Sequence, residues 1–429
     1  MDYARARTAW SMTILLTLAY VLSYVDRSIL GLLITPIKAD LHISDEKIGY
    51  LIGWAFGLFY ATIGLPLGWL ADRARRMHIV AGGVALWSMA TIASGLARGF
   101  TPLFAARMGV GIGEATLSPC AMSLIGDSFP PERRGLPIGV YSAALALGAG
   151  IASLLGAAVL GMNKGAADIM LPLFGAVRPW QFALIFVGLP GLVLSPLFLL
   201  LPEPVRRAAA NGPTSFSDAW HALRSDVGAL GGVMLLVAVM TTIAYSQQFN
   251  APGFARTFGW EAKDYARVNG TINLIVGPLT VIGIGLLADR WRAAGTRDAG
   301  LRLLAIGFVP MLPASALPLF MPTPALAFAM LTLSSIALGT VTAAGIIALL
   351  DITPASVRGQ IVALYYMTIS IAGLGLGPTT VGILSTRVYG EANLRDALAT
   401  VPLLYGAIPL LLLPAIARAY RLRLAEVTA

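Results

Sequence analysis

What most constrains this chain is an alternation: long apolar stretches, each of about twenty residues or more, separated by short polar turns rich in arginine. Hydrophobic residues fill 57% of the 429 positions and charged residues 12%, about half the roughly 25% charge of a soluble domain. A soluble core stops growing at about 250–300 residues, so this much apolar surface has no aqueous architecture to hide it. Its solvent must be hydrocarbon. Twelve helices at roughly 20–25 residues each would use about 240–300 residues and leave short connections. The alternation predicts helices at 11–36, 46–71, 78–98, 101–125, 134–160, 180–201, 226–253, 264–289, 300–321, 323–350, 359–386 and 395–418. The expected fold is an all-α membrane protein of twelve transmembrane helices.

Local signals fix some ends. Ser44, Asp45 and Glu46 place a cap and negative charge at the start of the second helix, where the helix dipole favours both. Pro202 and Pro204 stop the sixth. With both termini cytoplasmic, eighteen of the thirty Lys and Arg side chains fall on the cytoplasmic side and ten on the outer side, Arg27 and Arg107 lying inside helices. That excess is the positive-inside pattern and favours an even number of spans. Arg5 and Arg7 before the first apolar run resemble a secretory signal, but the run is too long and lacks a small-residue cleavage site, so it reads as a retained first helix.

Composition excludes several function classes. A net charge of +9 with a pI near 9.8 suggests nucleic acid only when basic residues cluster on one solvated face, and here they lie between apolar runs. One cysteine, Cys120, and three histidines, His42, His78 and His221, build neither a disulfide framework nor a metal cluster. No metal and no cofactor is expected. His-Glu-x-x-His, Gly-x-Ser-x-Gly and the Walker lysine loop are all absent from the sequence, so the reading is not an enzyme.

The two halves echo each other. Gly68 to Arg73 (Gly-Trp-Leu-Ala-Asp-Arg) recurs as Gly285 to Arg290 (Gly-Leu-Leu-Ala-Asp-Arg), an offset of 217 (289 − 72). Asp127, Pro130, Arg134, Gly135 and Tyr141 recur as Asp351, Pro354, Arg358, Gly359 and Tyr365, an offset of 224 (351 − 127). Two echoes at helix junctions predict two pseudo-symmetric six-helix bundles, 1–201 and 226–429, a construction common in transporters. The linker between them, 202–225, carries Phe216, Trp220 and Leu223 at spacings of four and three, the pattern of an interfacial amphipathic helix.

The motif Gly68-Trp69-Leu70-Ala71-Asp72-Arg73, followed by Arg75 and Arg76, resembles the signature of the major facilitator superfamily, and the resemblance extends over essentially the whole chain. Within it, Tyr24-Val25-Asp26-Arg27 and Arg107-Met108-Gly109-Val110-Gly111-Ile112-Gly113-Glu114-Ala115 with Ser118-Pro119 look most like the Spinster group of sphingolipid and lysolipid transporters, with Ser23 standing where that group usually has asparagine. The resemblance implies alternating access and a functional monomer. A cytoplasmic gate is expected from Gly68, Asp72, Arg73, Arg76, Asp127 and Arg134 in the first half and Asp289, Arg290, Asp351 and Arg358 in the second.

Four ionisable side chains, Asp26, Arg27, Arg107 and Glu114, lie turns inside apolar helices. Each would cost roughly 2.5–3.5 kcal/mol or more facing lipid, so they must face inward and pair. Arg107 and Glu114 are separated by two helical turns, and Asp26 and Arg27 point about 100° apart. The economical solution is crosswise: Asp26 with Arg107, and Glu114 near Arg27. Desolvation disfavours a charged carboxylate and a neighbouring arginine favours it, so access of water or substrate can switch its protonation. Asp26 and then Glu114 are the candidate proton-coupling acids, and a static ion network is the alternative. Arg27 and Arg107 are suited to an anionic headgroup, with Tyr24 beside them.

Other candidate substrate contacts are Tyr245 and Gln247 on helix seven, Asn269 and Asn273 on helix eight, and Tyr365 and Tyr366 on helix eleven. With intramembrane acids and bases confined to the first half, the cavity suits an amphiphile. The expected function is a proton-coupled carrier of an anionic lipid, with a symporter of a small organic anion as the alternative and a non-transporting receptor behind both. The partners expected are membrane lipids, a proton and the anionic substrate, with no nucleic acid. Arginine outnumbers lysine 26 to 4 and the loops are short, which fits a bacterial inner membrane.

Overall fold

The computed structural model describes residues 6–71, 73–130, 133–162, 168–172, 174–206, 220–221, 223–224, 226–354 and 357–428. Among these, eleven helical segments are long and apolar enough to cross a membrane. Prolines divide several of the expected helices. The first ends as α1 (Ala6–Leu32) and restarts as α2 (Ile34–Leu41), because Pro36 cannot bond to the carbonyl of Leu32 and its ring crowds that carbonyl. The expected fourth helix divides for the same reason, with Pro119 acting four residues after Ala115.

The region 46–71 falls outside that count of eleven: it forms α3 (Asp45–Ile52) and α4 (Trp54–Ala71), which meet at Gly53. Ser44 caps α3 by accepting a bond from the Lys47 amide at 3.3 Å. Next come α5 (Arg76–Gly95), α6 (Phe100–Glu114), α7 (Leu117–Ser128) and α8 (Gly135–Met162). A small antiparallel hairpin, β1 (Ile169–Leu171) with β2 (Gly175–Val177), pairs Met170 with Ala176 ahead of α9 (Pro179–Leu199). The apolar alternation carries no sign of this hairpin, since three-residue strands are too short to show a period.

The second half holds α10 (Gly232–Ser246), α11 (Asn250–Phe258), α12 (Ala262–Ala293), α13 (Ala299–Ala316), α14 (Pro324–Asp351), α15 (Arg358–Ser370), α16 (Gly377–Ile383) and α17 (Leu394–Thr428). Widened turns at 371–376 and 384–389 interrupt the expected eleventh helix. Most of the linker expected as an interfacial helix, Phe216 included, lies outside the described residues. Trp220 is described, with the Arg224 guanidinium 5.0 Å from its ring centre.

By compactness the chain divides into a first unit, Met1–Ala208 with Phe254–Leu274, and a second, Ala209–Gly253 with Ile275–Ala429. In the first, α5 packs on α6 and α9, and α1 packs on α8. In the second, α13 packs on α14 and α17, around a core that includes Val237, Met240, Phe308, Met311 and Ala344. The packing itself repeats. A side chain at Gly83 would strike Thr116 and the Gly113 carbonyl, and one at Gly307 would strike Thr340 and the Ala337 carbonyl, each position 224 residues on. Phe186, Leu189 and Val193 on α9 and Leu404, Ile408 and Leu411 on α17 are exposed at helical spacing, as an acyl-chain solvent requires.

Candidate functional site

The first unit brings α1, α4, α5 and α6 together around its ionisable side chains. Gly111 makes this possible: a Cβ there would lie 2.6 Å from the Phe56 carbonyl oxygen, so only glycine lets α6 approach the backbone of α4 this closely. Asp26, Arg107 and Glu114 are then all buried, at 2%, 2% and 1% exposure.

The pairing is crosswise. Arg107 donates from Nη1 to Asp26 Oδ1 at 2.9 Å, and Arg27 donates from Nε to Glu114 Oε2 at 2.6 Å. Ser23, one turn before Arg27, donates to the same Glu114 oxygen at 2.6 Å, while Glu114 Oε1 is buried with no hydrogen-bond partner among the described residues. Thr91 on α5 completes the other pair. Its hydroxyl lies 2.5 Å from Asp26 Oδ2 and 2.9 Å from the Trp87 carbonyl. A hydroxyl has one proton, so these two acceptors compete for it. The Arg27 guanidinium rests 4.6 Å from the ring centres of both Phe56 and Tyr60 and 5.9 Å from that of Tyr24, an aromatic cradle for its charge.

The remaining candidates are more dispersed. Asn269 and Asn273 belong to the first unit and are half-buried. In the second unit Gln247 donates to the Ser315 carbonyl at 3.4 Å and accepts from Asn250, and Tyr245 is half-buried. Tyr365 lies in the packed core, 3% exposed, with its hydroxyl in the space left by Gly345. Tyr366 is exposed beside it, their rings edge to face at 5.3 Å. Core packing thus accounts for Tyr365, a position that helical spacing alone leaves open.

Among the expected gate residues, Arg76 is buried and acts as a hub. It pairs with Asp127, donates to Ser123 Oγ at 2.7 Å, and reaches Glu203 Oε1 from its amide at 3.0 Å and from Nε at 3.1 Å. A further bond to the Pro204 carbonyl, at 3.1 Å, ties the start of α5 to the ends of α7 and α9. Asp351 pairs instead with Arg292 and accepts from Tyr420 at 3.3 Å. Arg134 donates to the Phe129 carbonyl at 2.9 Å and Arg358 to the Thr353 carbonyl at 3.4 Å. Arg73, Asp289 and Arg290 are exposed, Gly68 lies within α4, and Asp72 is outside the described residues.

Sequence reasoning missed Thr91, Phe56, Tyr60 and Glu203. The first had a signal: Ser88, Thr91 and Ser94 put buried hydroxyls at three-residue spacing in the apolar stretch of α5 that follows His78. Phe56 and Tyr60, four apart, share a helix face. At the other end of the first unit, Asp45 is fully buried, pairs with Lys38, and receives two bonds from Arg256 at 2.7 and 3.0 Å. Its place at a helix start had suggested only a dipole partner.

The profile described as Major Facilitator Superfamily matches residues 16–378. An "MFS-type efflux pump" of Mycolicibacterium smegmatis is 30% identical over 410 residues, covering 94% of this chain and 91% of that protein. A "Probable L-galactonate transporter" of Escherichia coli is 32% identical over 182 residues, 42% of this chain and 37% of that protein. "Protein spinster homolog 1" of Homo sapiens is 31% identical over 227 residues, 50% of this chain and 40% of that protein. Among solved structures, a bacterial homolog of the human lysosomal transporter Spinster, inward-facing and unoccupied, superposes with a TM-score of 0.79 at 24% identity over 99% of this chain and 98% of its own.

Proposed function

The chain belongs to the Major Facilitator Superfamily of membrane transporters, and on that premise we propose that it is a proton-coupled carrier of an amphiphilic anionic lipid, working by alternating access. In this reading it has twelve spans with both termini cytoplasmic, and it resides in a bacterial inner membrane.

One observation carries the proton coupling: Thr91 between Asp26 and Trp87. With Asp26 ionised, the hydroxyl donates to the carboxylate, which also accepts from Arg107. With Asp26 protonated, the acid donates to Thr91, and Thr91 turns its proton to the Trp87 carbonyl. Asp26 and Thr91 stay hydrogen-bonded to each other in both states, so Asp26 exchanges a proton without either of these two groups being left unpaired. In the acid state Arg107 gives up its counter-charge and becomes a donor for substrate phosphate. Glu114, with one oxygen unpartnered, is the second proton acceptor of the reading.

Substrate class rests on the one-sided charge and on the similarity to Spinster proteins. The similarity to the L-galactonate transporter favours a second reading, proton symport of a small sugar acid, which the same arginines would serve. Asp26→Asn reconstituted in proteoliposomes is expected to lose uptake driven by a pH gradient; undiminished uptake rules out Asp26 as the coupling acid. Thermal stabilisation by lysolipids and by organic acids, measured side by side, separates the two cargoes.

A further inference from the structure

We infer that the second unit holds the phosphate of an anionic phospholipid headgroup in a groove between the start of α13 and the end of α17. The groove has a volume of about 450 Å³ and is lined by Arg297, Arg302, Arg421, Thr296, Leu424 and Ala425 among others. One carboxylate, Asp298, lies in its wall and pairs with Arg302 at 2.8 Å. Asp298 stands at the helix start without capping it. Glu426, nearby on α17, pairs with Arg423. Three guanidiniums against one carboxylate leave the groove with excess positive charge.

The first unit supplies an internal control. Its groove of about 640 Å³ occupies the equivalent place, between the start of α5 and the end of α9. Three pairs of lining residues correspond at the repeat offset of 224: His78 with Arg302, Leu200 with Leu424, and Leu201 with Ala425. There the chain provides its own anion. Past the end of α9, Pro202 and Pro204 flank Glu203, whose Oε1 accepts from the Arg76 amide and Nε at the start of α5. In the second unit α17 runs on as helix through Thr428, and the residue at the position of Glu203 is Val427 (427 − 203 = 224). Gly300 stands where the first unit has Arg76, so the cations of this groove sit at other positions, and among the described residues Arg297 and Arg421 have no carboxylate partner of their own.

A phospholipid is the source that fits the surroundings. Arg421 and Arg302 lie where the exposed apolar faces of their helices end, and Leu422, next to Arg421, is exposed. Basic pockets between transmembrane helices at this depth take phosphate headgroups. The inference concerns a structural lipid and holds whatever the carrier's cargo is.

Native mass spectrometry and thermal unfolding of the full chain, with phosphatidylglycerol set against phosphatidylcholine of the same acyl length, test this. Expected are retained phosphatidylglycerol adducts and a higher Tm with that lipid, the affinity falling about fivefold per arginine in R297Q/R302Q/R421Q. The charge-retaining R297K/R302K/R421K keeps most of the preference and serves if the glutamine variant does not fold. Equal behaviour of the two lipids on the unsubstituted chain, or an undiminished preference in the glutamine variant, overturns the site. If inorganic phosphate alone reproduces the stabilisation, the lipid assignment falls.

Discussion

The stretch 100–128 of the first unit and 324–351 of the second are the same element at an offset of 224, and they differ where chemistry is expected. Both are followed by an arginine that donates to a carbonyl five residues back, Arg134 to Phe129 and Arg358 to Thr353. Both lead to a buried tyrosine, Tyr141 and Tyr365. Yet Arg107 becomes Leu331 (331 − 107 = 224), which is buried, and Glu114 becomes Leu338 (338 − 114 = 224), which packs against the apolar core of the second unit. The bundle therefore folds without these charges. Their presence in only one copy means the scaffold does not demand them, and a buried ionic pair that packing does not need calls for a functional account.

The most disruptive way to test this difference is to write the second unit's residue into the first. Arg107→Leu leaves Asp26 buried beside Thr91 without its cation, and should cost about 3–5 kcal/mol of stability as well as all proton-driven transport. Replacing both partners, Asp26→Leu with Arg107→Leu, should restore most of the stability, because an apolar pair of similar volume is neutral or better in such a place, and should restore no transport. Thermal unfolding and proteoliposome uptake read the two quantities separately. A double variant that still takes up substrate under a pH gradient would sink the functional account of the pair.

A gentler comparison sets the two helix-end networks side by side. Arg76 is fully enclosed and holds Asp127, Ser123, Glu203 and a carbonyl. Arg292, whose side chain is 39% exposed, holds Asp351. Arg76→Ala takes the shared cation from the Asp127 and Glu203 carboxylates, whose side chains are 13% and 20% exposed, and should cost about 2–3 kcal/mol, whereas Arg292→Ala should cost less than about 1 kcal/mol because water screens the pair. Comparable losses in thermal unfolding would mean that the second network is as structural as the first.

How far each feature was legible in the sequence follows from its range. The apolar alternation announces helices because hydrocarbon admits few other backbones, and the crosswise pairing follows from two helical phases and the cost of a lone buried charge. Breaks at Leu33 and Ala115 were one step beyond that, since Pro36 and Pro119 act four residues upstream. Glu203 was illegible: it reaches Arg76 across 127 residues because Pro202 and Pro204 turn the chain, and no local period encodes that return. Asp45 was half legible, its place at a helix start being local and its bond to Arg256 spanning 211 residues.

The smallest expected effect probes the repeat where it is most nearly conserved. Arg134 and Arg358 each close the end of the preceding helical segment with a charged donor on a free carbonyl, at 2.9 and 3.4 Å. Both side chains are at least partly open to solvent, so alanine at either position should cost about 1 kcal/mol or less, with Arg134 the larger because its bond is shorter and more sheltered. Near-equal shifts in thermal unfolding fit a shared scaffold whose copies diverge only at buried charge. A loss at Arg134 as large as that at Arg76 would place it inside the first unit's ion network, and the line between repeated scaffold and unrepeated chemistry would have to be drawn further from the membrane interior.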